Sequence, residues 1–212
     1  AAVLASIEGR GFDRLACAMA YTLTALHDRL GDRDAAAAAA ERCLEVALAA
    51  GYRLGETNAQ AAIGLIRYRA GALSEALDHQ ERAVQLAVDS GNHIAERNAR
   101  MGLAVTFLDL GRPADALHHV ERTRAQAVAD EHPRTAAFAD VVRATAERRS
   151  HHYATAERSA RQALDAFEAL GDASGAGMAR AELGVVMARL GEPQAAAEVL
   201  ARAATELSAS GE

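Results

Sequence analysis

Small and apolar residues recur at three- and four-residue intervals through most of this chain, the period of a helix with one buried face rather than of a strand. Over residues 52–91, Ala59, Ile63, Gly64 and Ile66 mark one such face, and Ala76, Leu77, Ala83, Val84 and Ala87 mark another. Glycine punctuates the pattern. Gly31, Gly71, Gly111 and Gly191 keep one spacing of 40 residues, and Gly11, Gly51, Gly91, Gly171 and Gly211 form a second set offset by half of it. Each glycine is placed to cap the end of a helix in the left-handed conformation. Helices of about 18 residues, roughly 27 Å long, joined by such short turns must run antiparallel, so the predicted unit is a helical hairpin. A fixed period of this length marks an array in which each unit stacks on the next.

Placing the units in register exposes their constrained columns. Small residues recur at Ala59, Ala99, Ala139 and Ala179, and again at Thr24, Gly64, Ala104, Ala144 and Gly184. Leu23, Ile63, Leu103, Arg143 and Leu183 precede the latter column. In the second helix of each unit, Ala36, Ala76, Ala116, Ala156 and Ala196 align, as do Cys43, Ala83, Thr123, Ala163 and Ala203. Small side chains let two helix backbones approach, and the large apolar neighbour fills the remaining space.

These columns resemble the tetratricopeptide repeat (TPR), with Ile63-Gly64, Gly71, Ala76 and Ala83, and equally Leu183-Gly184, Gly191, Ala196 and Ala203, standing in the order of its motif. The resemblance implies an all-α, right-handed α-α superhelix: five helix pairs over 12–51, 52–91, 92–131, 132–171 and 172–211, with a leading half-repeat at 1–10, in one array spanning 1–212. The 40-residue unit is longer than the shortest TPR. It is similar to the elongated arrays of bacterial signalling ATPases and transcriptional activators, among them the sensor regions of actinobacterial SARP-type and LuxR-type regulators. Because the chain starts and ends on second helices with no polar cap, it is expected to be an excised piece of something longer. Ile7-Glu8-Gly9-Arg10 has the form of an engineered protease site, but its fit to the repeat register favours its belonging to the array.

Composition narrows the chemistry. All 23 basic residues are arginine, so no Walker-A lysine or Schiff-base lysine is present. A net charge of −6 argues against a nucleic-acid surface, and no apolar run is long enough to cross a membrane. Cys17 and Cys43 sit on either side of the Gly31 turn, where they could face each other across one helix pair, and are read as buried apolar thiols in preference to a disulfide or redox switch. Adjacent histidines, His118-His119 and His151-His152, diverge around a helix and make a poor metal site. No metal, no cofactor and no catalytic constellation is expected.

The TPR resemblance implies that the first helix of each unit lines a binding groove. By register the groove residues are Asn58, Ala61, Leu65, Tyr68 and Arg69; Asn98, Met101, Val105, Leu108 and Asp109; Phe138, Val141, Thr145, Arg148 and Arg149; and Met178, Ala181, Val185, Ala188 and Arg189. Ala61 and Leu65 stand where a chaperone-tail clamp needs a cation and an asparagine, which disfavours that partner. The column Arg29, Arg69, Asp109, Arg149 and Arg189 either pairs carboxylates on an acidic or amphipathic segment or complements the helix dipole. Asn58 and Asn98 either hold a peptide backbone or are solvated residues at helix starts.

The fourth unit departs from the pattern. Glu131 and His151 replace glycines, and Arg124, Arg143, Glu147 and Glu157 enter columns that elsewhere favour apolar residues. Two expectations follow: an internal ion-pair layer marking a hinge or contact zone, or a rotated helix that turns Phe138 and Val142 inward and sends the charges to water. The chain is thus read as a non-catalytic scaffold for a protein, a peptide or neighbouring domains of its own chain, in a cytoplasmic bacterial regulator. A peptide-pheromone receptor, the regulatory arm of an enzyme, and a homo-oligomer formed through exposed end helices are the alternatives.

Overall fold

The computed structural model describes residues 13–210, with side chains over 14–208. Within that range the chain forms ten helices: α1 (Asp13–Arg29), α2 (Arg33–Ala49), α3 (Arg53–Arg69), α4 (Leu73–Asp89), α5 (His93–Asp109), α6 (Pro113–Ala129), α7 (Pro133–Arg149), α8 (Tyr153–Ala169), α9 (Ala173–Leu190) and α10 (Pro193–Ser210). Successive helices start 20 residues apart, and no strand occurs among the described residues. The fold is the all-α helix-pair solenoid that the periodicity predicts. The expected half-repeat at 1–10 and the glycines at 11 and 211 lie outside the described residues.

The turns follow from the glycines. At Gly71 (φ 79°), the Gly71 N–H donates to the Tyr68 carbonyl and the Ala72 N–H to the Arg67 carbonyl, each at 2.9 Å. This pair of hydrogen bonds closes the helix and reverses the chain. Glu131 and His151, which replace glycine in the same register, take up the same left-handed backbone at φ 56° and 62°. Tertiary packing therefore enforces the turn even where the residue disfavours it.

Two compact units divide the chain, Ala1–Thr106 and Phe107–Glu212. In the first, α1 packs on α2, α2 on α3 and α3 on α4, and α1 also touches α3. Its interior is built from Ala16, Cys17, Ala20, Cys43, Ala47 and Ala59, followed by Ala36, Ala40, Ile63 and Ile66. In the second unit α6 through α10 pack in sequence and α7 also touches α9. Its core runs from Ala137, Ala163, Phe167 and Ala179 to Ala144, Ala160, Leu183 and Met187.

The contacts α1–α3 and α7–α9 join first helices of successive pairs, whereas the described second helices of one unit make none with each other. The first helices thus crowd along the inner side of each unit. The small-residue column explains the close approach within pairs. A Cβ on Gly64 would lie 2.7 Å from Gln80 Cγ, and one on Gly184 would lie 2.7 Å from Leu200 Cγ. Cys17 and Cys43 are free, buried thiols whose sulfurs face each other across α1 and α2 at 2.9 Å.

Candidate functional site

The crowded side of the first unit carries a cleft of about 270 Å³. Its walls come from three first helices: Tyr21, Ala25 and Asp28 on α1, Ala61, Leu65 and Ile66 on α3, and Asn98, Ala99 and Gly102 on α5. Gln80, from the second helix α4, forms part of the lining. Most of these side chains are short or aliphatic, so the cleft is an apolar slot with a few polar groups placed around it. Such a composition suits a ligand that buries an apolar side chain and is oriented by a small number of hydrogen bonds.

Among the residues predicted from sequence, Leu65 and Asn98 meet in this cleft with Ala61. Leu65 is 41% exposed there. Asn58, Tyr68, Met101 and Val105 are half-buried on the same helices. Arg69 is exposed, and its guanidinium donates to the Asp28 carboxylate, which stands 41 residues earlier at the cleft wall. The chain's own acid thus occupies the cation that sequence reasoning offers to a ligand.

In the second unit the predicted residues divide differently. Leu108 is buried, and Phe138 and Val141 are half-buried against the Ala137–Phe167 core. Arg148 grips Glu182 through two hydrogen bonds, 2.6 Å from Nε and 3.2 Å from Nη2. Arg149 donates to the Leu108 carbonyl and, at 3.2 Å, to Asp109, 40 residues before it. Arg189 is exposed. Arg69–Asp28 and Arg149–Asp109 repeat one motif: an arginine at the end of a first helix reaches back one repeat to a carboxylate.

The charges of the fourth unit meet through a residue that sequence reasoning did not single out. Asp140 is buried in α7 and accepts from Arg124 Nε of α6 at 2.7 Å, with Arg143 Nη2 2.9 Å from the same oxygen. Arg143 also donates to Ser159 Oγ and Gln162 Oε1, each at 3.1 Å, and Ser159 in turn donates to Glu147 at 2.7 Å. Arg143 and Glu147, expected to pair directly, are bridged by Ser159. Glu157 faces the other way and binds Arg161 at 2.7 Å. Burial raises the Asp140 carboxyl above its ordinary value, against the opposing pull of Arg143 and Arg124. Val142 is buried, and Phe138 is half-buried. A signal for Asp140 does exist in the repeat register: Gln60, Arg100, Asp140 and Arg180 form a polar column, three of them buried.

Elsewhere, His79 Nδ1 lies 2.7 Å from Gln60 Oε1, and burial followed by the Arg67 charge holds this imidazole below its usual value. His119 stacks on Phe107 with ring centroids 5.5 Å apart and meets the edge of His118. Among the described residues no group of three His, Cys, Asp or Glu is placed to hold a metal ion. No described helix is long and apolar enough to cross a membrane.

Residues 55–127 match the tetratricopeptide repeat family. No curated protein matches the chain in sequence. Solved structures resemble it in fold. A Rap protein complexed with competence and sporulation factor superposes with a TM-score of 0.76 at 14% identity, over 89% of this chain and 54% of the other. Aspartyl phosphate phosphatase F from Bacillus subtilis gives 0.78 at 16% identity, over 98% and 55%. A signal transduction ATPase with numerous domains, which carries a tetratricopeptide repeat sensor and comes from Pyrococcus horikoshii, gives 0.68 at 13% identity, over 96% and 38%. This chain therefore spans about half the length of the first two and less of the third.

Proposed function

Since this chain is a tetratricopeptide-repeat array, we propose that it works as a non-catalytic scaffold whose first helices grip a peptide segment of a partner or of a neighbouring domain. The observation that carries this reading is the apolar cleft between α1, α3 and α5, where Leu65 stays exposed beside Asn98. An aliphatic side chain left exposed in a concave, mostly apolar slot offers packing surface to an inserted ligand residue. The factor-bound Rap neighbour and the ATPase with its tetratricopeptide repeat sensor support a sensor or regulatory segment of a larger signalling protein, and a bacterial transcriptional regulator is the form of it that we propose.

The internal pairing of Arg69 and Arg149 shifts weight from acidic ligands to apolar ones. A carboxylate on a partner would have to displace Asp28 or Asp109, and an exchange of one exposed ion pair for another yields little. Leu65 and Asn98 are then the dominant contacts.

Peptide display against the 212-residue chain, followed by anisotropy titration of the enriched sequences, tests the reading. Leu65→Glu is expected to weaken binding at least tenfold while thermal melting is unchanged. Binding that ignores Leu65→Glu and Asn98→Ala would place the partner on another face. A receptor that closes on a short secreted peptide is the second reading, favoured by the factor-bound Rap neighbour; it requires the same peptides to reduce the radius of gyration in X-ray scattering.

A further inference from the structure

The chain has two cysteines, and they stand on facing helices of one pair. Cys17 belongs to a column with Thr57, Arg97, Ala137 and Gly177, and Cys43 to one with Ala83, Thr123, Ala163 and Ala203. Packing at this place does not need sulfur. In the second unit Ala137 and Ala163 occupy the same two positions, both are buried, and they share one core cluster. A pair of alanines fills the site there, whereas the first unit places both of the chain's thiols at it.

The thiols point at each other. Their sulfurs lie 2.9 Å apart, roughly 0.9 Å more than the disulfide length of about 2.0 Å. Cys43 Sγ lies 3.3 Å from the Cys17 carbonyl and Cys17 Sγ 3.6 Å from the Cys43 carbonyl, so the arrangement is nearly reciprocal. Ala16, Ala20, Ala47 and Ala59 pack around them. A Cβ on Gly55 would lie 2.6 Å from Cys17 Sγ. The surroundings thus leave no room for a bulky group on either sulfur. Of the reversible products of thiol oxidation, the bond between the two sulfurs is the one that adds no atoms to the site.

Burial also sets when that bond can form. The thiolate is the attacking species, and the closed site holds the Cys43 thiol protonated. An oxidant therefore reaches either sulfur once α1 parts from α2. Closing the pair then brings the second sulfur onto the first and expels whatever the first has taken up. The site reacts slowly from the closed state and gives one product.

We propose that Cys17 and Cys43 are an oxidative modification site, a dithiol that a low-molecular-weight disulfide such as glutathione disulfide closes into a bond between α1 and α2. One cysteine thiolate attacks a sulfur of glutathione disulfide and releases one glutathione thiolate. The second cysteine thiolate attacks the protein sulfur of that mixed disulfide, forms the Cys17–Cys43 bond and releases the second glutathione thiolate. The two protein protons end on the two glutathiones, so the protein pair is oxidised and the glutathione disulfide reduced by two electrons. α1 carries Tyr21, Ala25 and Asp28 of the cleft wall, and the bond ties that wall to α2 in oxidising conditions. The groove reading needs neither state of the thiols and stands or falls separately.

The 212-residue chain and its Cys43→Ala variant are refolded from urea in glutathione buffers of rising disulfide content, trapped with acid, and read by intact mass and tryptic mapping. Refolding in the buffer keeps slow helix opening from hiding the equilibrium. The expected product is a chain lighter by two hydrogens, with the tryptic peptides Leu15–Arg29 and Cys43–Arg53 joined, and dithiothreitol restores the starting mass. Half of the folded chain is expected to be oxidised at a ratio of squared glutathione to glutathione disulfide about a hundredfold higher than for the chain held in urea. Cys43→Ala, which places the second unit's own residue there, is expected to fold and to carry no glutathione on Cys17. Should that variant unfold, the wild-type ratios decide alone. Equal ratios for folded and unfolded chain overturn the assignment, as do two thiols that persist in the most oxidising buffer. A glutathione adduct on the folded wild type or on folded Cys43→Ala overturns it too.

Discussion

Asp140 on α7 and Arg124 on α6 meet at 2.7 Å with the carboxylate side chain only 3% exposed, and Arg143 closes on the same oxygen at 2.9 Å. A buried pair of this kind contributes little over a well-packed apolar substitute, but removing one partner strands the other. Asp140→Ala is therefore expected to cost about 3 kcal/mol, read from urea unfolding at neutral pH. Glu157→Ala, which removes an outward ion pair with Arg161, should cost well under 1 kcal/mol. Similar losses for the two variants would refute a buried centre at Asp140.

The left-handed backbone at Glu131 and His151 is a cost built into the fourth repeat. A side chain in this conformation is disfavoured by about 1–2 kcal/mol, and the greater freedom of glycine in the unfolded chain returns part of that. Glu131→Gly is expected to stabilise the protein by about 0.5–1 kcal/mol, whereas Gly71→Ala should destabilise it by a similar amount. Calorimetric melting that moves both variants in one direction would refute the strain argument.

Asp172 caps α9 by accepting from the Gly175 N–H at 2.9 Å, and Arg134 donates to its other oxygen at 2.5 Å. Those bonds, the backbone one first, hold its carboxyl below the ordinary value. A depressed folded value means the contribution is present above the unfolded value, near 3.8, and is lost as pH falls through the lower folded one. Asp172→Ala should cost about 1 kcal/mol at pH 7, and the gap between variant and wild type should close as the pH is taken below 4. A gap of constant width from pH 7 to pH 2.5 would contradict this account.

Cys17 and Cys43 test the first helix pair. Burial raises the Cys43 thiol far beyond the usual range, and the neighbouring Cys17 adds to the effect. A thiol is nucleophilic only as thiolate. Iodoacetamide at pH 8 should leave both residues unmodified in the native chain and alkylate both in urea, as read by intact mass. Native labelling at the rate of a free cysteine would show that α1 and α2 do not close over them.

Much of the fold is legible in the sequence because repetition supplies its own control. Gly64, Ala76, Ala83 and their counterparts each mean little alone, yet at one spacing they mark the helix contacts. The turns at Glu131 and His151 were legible from register even though their residues oppose the conformation. Leu65 and Asn98 could be placed on first helices in the same way, and both line the cleft. Asp140 could not be assigned a role, since a column of polar residues signals partners without saying which.

The sequence by itself determined that the chain is a run of helix pairs, their length, their turns and their inner faces, because these depend on local periodicity repeated every 40 residues. Tertiary structure decided which polar groups answer one another: Thr106 for Gln80, Arg124 and Arg143 for Asp140, Asp28 for Arg69. Those pairings depend on helix rotation and interhelical distance, which small residues set only once the helices are packed.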